Sequence, residues 1–527
     1  MENNYKARLE PITNLLSNHP HPARWVYWTL AAILIFAGIL RITNINALPI
    51  FLDEGTHIRA GLAAQTGKLD QTGLFALAYS GRALQGWLLA ALFNVIDPDN
   101  LLELARILSA ICGLVTVLVC FKLGEKLFSA KAGLLAAGLW AIAPFTVWHE
   151  RMALVDPLMT SCAALTFYFS LRLIEIETKN RWVILGYTTL LGLSMTLGVL
   201  TKATALLTIL APVLAVLILS HPREWSKMLP RLGPVYAVFW ITTIPIINLL
   251  KGQWLGEYQG GQYTSEPTLT VLADNLAKVG EWVYAYFTLP ILMLVTVGLI
   301  LAFRHSWRIS LWLFLLILFP LLAVTLVAGS SFFPRYLLFL LVPLVVLAAG
   351  GLDQAMNWLI KWEMASWGLA LLTFVCLPAL WFNYQTIFSP AESALPAIDQ
   401  EGYVEGWAAG SGLGEVSNYL ITAQSQSQKS VTVIGFDGLT YDCLSVQLYH
   451  QKGLRFMMAN REPYKLQGPL KQAIRRGPTY LVMVTPLQPG LLEGYKVRFP
   501  DIQFNQVLSV SKPGNRFQLV TYELKKA

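Results

Sequence analysis

Charge is what this chain of 527 residues has least of. Asp, Glu, Lys and Arg make up 13% of it, about half the share of an ordinary soluble domain. Hydrophobic residues make up 55%, with mean hydropathy +0.52, and they fall in long blocks instead of amphipathic stripes. That excludes a water-soluble enzyme core and a disordered chain. Cysteine is scarce as well. Cys112, Cys120, Cys162 and Cys376 lie inside apolar runs and Cys443 stands alone, so neither a disulfide framework nor a zinc site is indicated. No Lys/Arg cluster interleaved with aromatics occurs, so the formal charge of +8 reads as loop anchoring at a membrane and not as nucleic-acid binding. A polytopic membrane protein remains.

Apolar segments long enough to cross roughly 30 Å of hydrocarbon are expected near 25–44, 101–121, 132–148, 157–174, 182–200, 203–220, 232–250, 283–303, 309–328, 336–356 and 366–388, about eleven spans. No small-residue cleavage site follows the first, which therefore reads as a retained anchor helix. With the N-terminus inside, every expected inner loop is basic: Lys122, Lys126 and Lys131; Lys179 and Arg181; Arg223, Lys227 and Arg231; Arg304 and Arg308; Lys361. The positive-inside rule is satisfied throughout. Counting the apolar stretch Arg82–Ile96 as a further span would invert every later loop. It reads instead as a helix that lies at the outer interface or dips in without crossing.

From Ser389 the composition turns polar. Ser430–Phe436, Thr479–Thr485 and Phe517–Tyr522 read as strands, Gly414–Gln424 and Leu466–Arg475 as helices. The chain thus divides into a membrane domain, 1–388, and an extracytoplasmic α/β domain, 389–527. Gly410-Ser411-Gly412-Leu413-Gly414 follows no strand and is read as a lead-in or helix start, not a nucleotide loop.

Ionisable groups at membrane depth are costly and point to function. The first outer loop carries Asp53, Glu54, His57 and Arg59 behind the apolar approach Leu48–Leu52. An acid at the start of a short helix is also an ordinary cap. The outer turn after the third span holds His149, Glu150 and Arg151, with Asp156 opening the fourth; Lys202 sits between the fifth and sixth, and Arg335 and Tyr336 open the tenth. Any one of these could snorkel to headgroups. Asp53, Arg82, Glu150, Arg151, Asp156, Lys202 and Arg335 at one membrane face describe a polar cavity with acids for proton transfer and cations for a phosphate. The chemistry that fits is group transfer from a lipid-linked phosphate, with Arg82, Lys202 and Arg335 on the leaving phosphate and Asp53 as base, Asp156 orienting the acceptor or sharing that role.

At these residues the sequence resembles a family. The Asp-Glu pair of the first outer loop, Leu104-Ala105-Arg106, Gly133-Leu134-Leu135-Ala136-Ala137 through Ala143-Pro144-Phe145, Arg151 with Asp156-Pro157, Thr201-Lys202 and Pro334-Arg335-Tyr336 occur in that order. They resemble the integral-membrane glycosyltransferases of the GT-C fold, in the bacterial branch related to protein O-mannosyltransferases and lipid A aminoarabinose transferases, over roughly residues 25–360. The resemblance implies an inverting sugar transfer from a polyprenyl-phosphate donor to a protein, lipid or glycan acceptor, outside the cytoplasmic membrane. It makes Asp53 the catalytic acidic residue with Glu54 its neighbour, Asp156 the second acid, and Arg82, Lys202 and Arg335 the phosphate-binding cations. A Lys-Pro-Pro-Leu segment of the family reads Gly81-Arg82-Ala83-Leu84 here, and Arg presents a planar fork where Lys presents a point charge. Tyr403-Val404-Glu405-Gly406-Trp407 also resembles a segment that follows the spans in such proteins.

No cofactor is expected; a divalent metal bridging Asp53, His57 and Asp156 is the alternative, less needed for a lipid monophosphate donor than for a nucleotide diphosphate. Trp254, Tyr258 and Tyr263 fit carbohydrate stacking or an interfacial aromatic belt. The competing functions are a transporter or lipid flippase, which would place charges at the bilayer midplane within inverted repeats, and a non-catalytic assembly or sensor protein.

Overall fold

The computed structural model describes residues 23–65, 83–96, 100–176, 180–249, 266–287, 289–459, 467–486 and 491–527. Among these, seven helices are long and apolar enough to cross a membrane: Arg24–Ile42, Leu101–Leu127, Val155–Glu175, Arg181–Thr201, Trp307–Val327, Pro334–Lys361 and Ser366–Phe388. Three bent pairs bring the number to ten when each pair is one span. The expected eleven differ because 203–220 and 232–250 form a single pair, bent by 118°. The helical run Ala211–Leu219 has nine residues, about 14 Å at 1.5 Å per residue, and is too short to cross alone. The expected span 132–148 is broken by 58°. Pro144 opens the second piece and holds Ala143 out of the helical region, at ψ 125°. Ala83–Val95 is apolar with 13 residues, about 20 Å, and falls short of a span.

The chain divides into two units. One comprises Met1–Thr43, Leu69–Gln85 and Ile107–Phe388; the other comprises Asn44–Lys68, Gly86–Arg106 and Ser389–Ala527. In the first unit, Pro334–Lys361 is the central element, with 89% of its apolar window buried, whereas Arg24–Ile42 has 28% and presents most of its apolar surface outward. Such exposed apolar faces match lipid, where no hydrophobic penalty attaches to them.

The second unit is built on a five-stranded sheet: β1 Val431–Gly435, β2 Leu454–Met458, β3 Thr479–Thr485, β4 Ile502–Ser511 and β5 Gln518–Lys526. The order is β2-β1-β3-β5-β4, with β1 parallel to β2 and β3, and β5 antiparallel to β3 and β4. Three of these strands are those expected from the sequence. Leu454–Met458 and Ile502–Ser511 were not expected, and both are edge strands. An edge strand buries one side at most and carries polar residues, so its apolar signal is weak. The helices Leu413–Gln426 and Gln467–Arg476 fall where helical patterning placed them. Gly412, at φ +90°, precedes the first of them, so the glycine-rich run is a helix start.

Candidate functional site

The Asp-Glu pair opens the helix Leu52–Gln65 in the second unit. Glu54 reaches back to the N–H of Phe51 at 2.9 Å, the reciprocal half of a capping box. Its carboxylate also accepts from Arg106, whose Nε lies 2.8 Å from one oxygen and Nη2 2.7 Å from the other. Both side chains are fully buried. Arg106 also donates to the carbonyls of Ile45 and Leu48 at 2.8 and 2.9 Å, which ties down the approach to the helix. Glu54, grouped with Asp53 in the sequence, is therefore a structural carboxylate. Asp53 is half-buried one residue earlier, and His57 is buried on the next turn.

Arg59 is committed elsewhere within this unit. Its Nε lies 3.2 Å from Asp442, its guanidinium 4.1 Å from the centre of the Tyr441 ring, and Nη1 donates to Ser445. Burial raises Asp442 above the usual carboxylate range, and Arg59 opposes the rise. The loop before Asp53 rests on the segment after Tyr403. Phe51 packs edge-on against Tyr403 at 4.7 Å, and the N–H of Leu52 donates to Ala408 at 3.1 Å. A Cβ on Gly410 would stand 2.1 Å from the Ile50 carbonyl oxygen, so this approach requires glycine. Beside it lies a cavity of about 640 Å³ whose polar lining includes Asn46, Asn100, Ser411 and Gln447.

The first unit gathers a second group. Asp156 stands in the first turn of Val155–Glu175, where the helix dipole favours an anion. Lys202 occupies the break after Arg181–Thr201, with extended backbone at φ −162° and ψ 137°, so that its side chain leaves the helix surface. Arg335 follows Pro334, which starts a 3₁₀ segment. These three local irregularities converge: Lys202 Nζ lies 2.6 Å from Asp156 Oδ1, and Arg335 Nε 3.9 Å from Oδ2. Lys202 also sits 3.7 Å from the centre of the Tyr336 ring, a cation–π contact. All three charged groups are buried. Two cations share one carboxylate in a low-dielectric setting, where a further anion interacts far more strongly than in water.

Glu150 and Arg151 act in the frame of this unit. Glu150 pairs with Arg41 at 2.5 Å, both fully buried, and accepts from Trp140 at 3.0 Å. Arg151 donates to the carbonyls of Leu40 and Thr43 at 2.7 and 2.9 Å, closing the end of the first helix. Arg41 and Arg106 carry these pairs, and the sequence assigned neither a role. Each lies near the end of a different apolar run, but its pairing with an acid 52 or 109 residues away is set by the fold. Arg82 and the aromatic loop with Trp254, Tyr258 and Tyr263 lie outside the described residues. Among the described residues no three His, Cys, Asp or Glu side chains form a metal-binding group.

Residues 83–247 match the dolichyl-phosphate-mannose-protein mannosyltransferase family, a stretch that includes Arg106, Asp156 and Lys202. A search of curated protein sequences gives no match. Among solved structures, ArnT from Cupriavidus metallidurans bound to undecaprenyl phosphate is 14% identical over 95% of this chain and 98% of its own, with TM-score 0.58. Its apo state gives 15%, 94%, 97% and 0.60. The archaeal oligosaccharyltransferase AglB from Archaeoglobus fulgidus, in complex with an inhibitory peptide and a dolichol-phosphate, is 12% identical over 94% of this chain and 74% of its own, with TM-score 0.54. At these identities the likeness is one of fold. The chain is a multi-pass membrane protein that shares the GT-C fold of these structures.

Proposed function

We propose that this GT-C glycosyltransferase moves a sugar from a polyprenyl-phosphate donor to an acceptor on the extracytoplasmic side of the cytoplasmic membrane, with inversion at the anomeric carbon. The observation that carries the reading is the buried Asp156–Lys202–Arg335 group. Two buried cations gathered at the start of two chain segments make a setting that suits an anionic phosphate. The undecaprenyl phosphate bound by ArnT and the dolichol-phosphate held by AglB are ligands of that chemical class. The basic inner loops support an outward-facing site and a C-terminal domain, 389–527, on the same side.

In this reading Asp53 takes the proton from the acceptor hydroxyl or amine as that group attacks the anomeric carbon opposite the phosphate. The carbon–oxygen bond breaks, its electron pair passes to the phosphate oxygen, and Lys202 and Arg335 stabilise the charge that develops. Arg82 joins them in the same role. Asp156 holds the two cations in place, and Glu54 with Arg106 fixes the backbone that presents Asp53. Donors act without a cofactor.

The test uses the purified protein in nanodiscs with a panel of radiolabelled undecaprenyl-phosphate sugars, following release of undecaprenyl phosphate. Asp53→Asn is expected to lower turnover by roughly 10²–10⁴-fold, the usual worth of a general base. Turnover unchanged in that variant would remove Asp53 as base. A wild-type protein that consumes no donor in the panel would sink the transfer reading.

A further inference from the structure

Lys512 lies just beyond β4, in the turn that leads to β5, and is 1% exposed. A lysine this deep in a soluble domain is unusual and calls for partners. Its Nζ donates to the carbonyl of Gly406 at 3.2 Å, to that of Trp407 at 3.1 Å, and to that of Ala409. The remaining carbonyl of this four-residue turn, Ala408, accepts the N–H of Leu52. Three carbonyls of one turn thus converge on a single ammonium, and the fourth holds the residue immediately before Asp53.

We propose that Lys512 is a positioning residue for the Asp53 loop: its three N–H groups shape the turn Gly406–Ala409, and that turn sets the backbone of Leu52. The assignment of a role to Asp53 rests on the function proposed above; the mechanical link does not. An ammonium carries three donors for three carbonyls, whereas a neutral amine has two donors and a lone pair that one carbonyl oxygen repels. The link is therefore complete only while Lys512 is charged. Burial draws the lysine down from its ordinary value to about 8. The groups that face it are Asp437, which favours the charged form, and Cys443. Burial keeps the Cys443 thiol protonated by raising it well above its ordinary value. In the same turn, Glu405 lies against Gly514, and Arg516 pairs with Glu401 at 3.4 Å.

The direction of the pH effect separates loosening from unfolding. Between about pH 8 and the ordinary lysine value of 10.5, the unfolded chain holds a proton that the folded one has shed. Global stability from this group therefore rises with pH in that window, while the grip on Leu52 weakens.

Amide hydrogen exchange on the full-length protein in nanodiscs, corrected for intrinsic rates, reads this without any substrate. In the wild type, protection of the peptide spanning 51–56 is expected to fall at least tenfold from pH 7 to pH 9.5. Lys512→Met should show the loosened state already at pH 7, with β1 and β3 still protected. Lys512→Arg, charged throughout, should keep the peptide protected to pH 9.5. Unchanged protection of 51–56 in Lys512→Met overturns the proposal. Equal loss across β1 and β3 also overturns it, because the lysine would then only hold the domain together. With donor, Lys512→Met should lower kcat with little change in KM. If exchange behaves as expected while Asp53→Asn still turns over donor, the link stands and the role of Asp53 falls.

Discussion

Glu54 and Asp53 are neighbours with opposite fates. Glu54 is buried with both oxygens on Arg106, a partner 52 residues away. Breaking a buried ion pair by removing one charge costs about 3–5 kcal/mol, since the other is left without compensation. Glu54→Gln is therefore expected to lower the thermal midpoint of the purified protein sharply, and the double variant Glu54→Gln/Arg106→Met to recover part of the loss. A double variant no better than the single one would mean that the charge on Arg106 is not what fails. The acid pair was legible in the sequence because two carboxylates behind an apolar run are conspicuous. Which of them is structural was not, because the answer depends on an arginine that only the fold brings near. The same holds for Glu150, whose partner Arg41 lies 109 residues earlier.

At the scale of elements, the breaks proved more informative than the helices. Lys202 projects from the chain because the helix ends there in extended backbone, and Asp156 and Arg335 each stand in the first turn of a new segment. Pro334 and Thr201-Lys202 made two of these breaks visible in the sequence; that they converge on Asp156 was not, since nothing local encodes a meeting of three segments. Edge strands were lost for a related reason. Half of their signal is polar, and their pairing is non-local. One close approach gives a direct test. A Cβ on Gly55 would lie 2.4 Å from Cys443 Sγ and 2.9 Å from its backbone. Because backbone blocks it, shrinking the cysteine cannot make room. Gly55→Ala is expected to destabilise the unit by about 1–3 kcal/mol, the cost of overpacking a filled core, and to loosen the 51–56 peptide in exchange. A Gly55→Ala protein with wild-type stability and protection would show that the helix is not seated this closely.

For the whole molecule, the scarcity of charge is what made the fold class readable. Basic residues at one set of expected loops imply an orientation, and this is open to direct measurement. The five native cysteines are buried or half-buried, so an introduced exposed cysteine is a clean reporter. In right-side-out membrane vesicles, Gln426→Cys is expected to react with an impermeant maleimide and Lys227→Cys to react only after the vesicles are opened. The reverse pattern would invert the topology and move the proposed site to the cytoplasm.

The segments 44–68 and 86–106 share a unit with 389–527, and Cys443 bonds the Phe51 carbonyl across 392 residues. During synthesis, then, the loop that bears Asp53 leaves the ribosome long before the parts that seat it exist. Every span between is synthesised first, and residues 389–527, which complete the unit, come last. A chain truncated before Ser389 would hold the Asp156–Lys202–Arg335 group yet lack the parts that seat the Asp53 loop. Completion of translation is thus the step that seats the Asp53 loop.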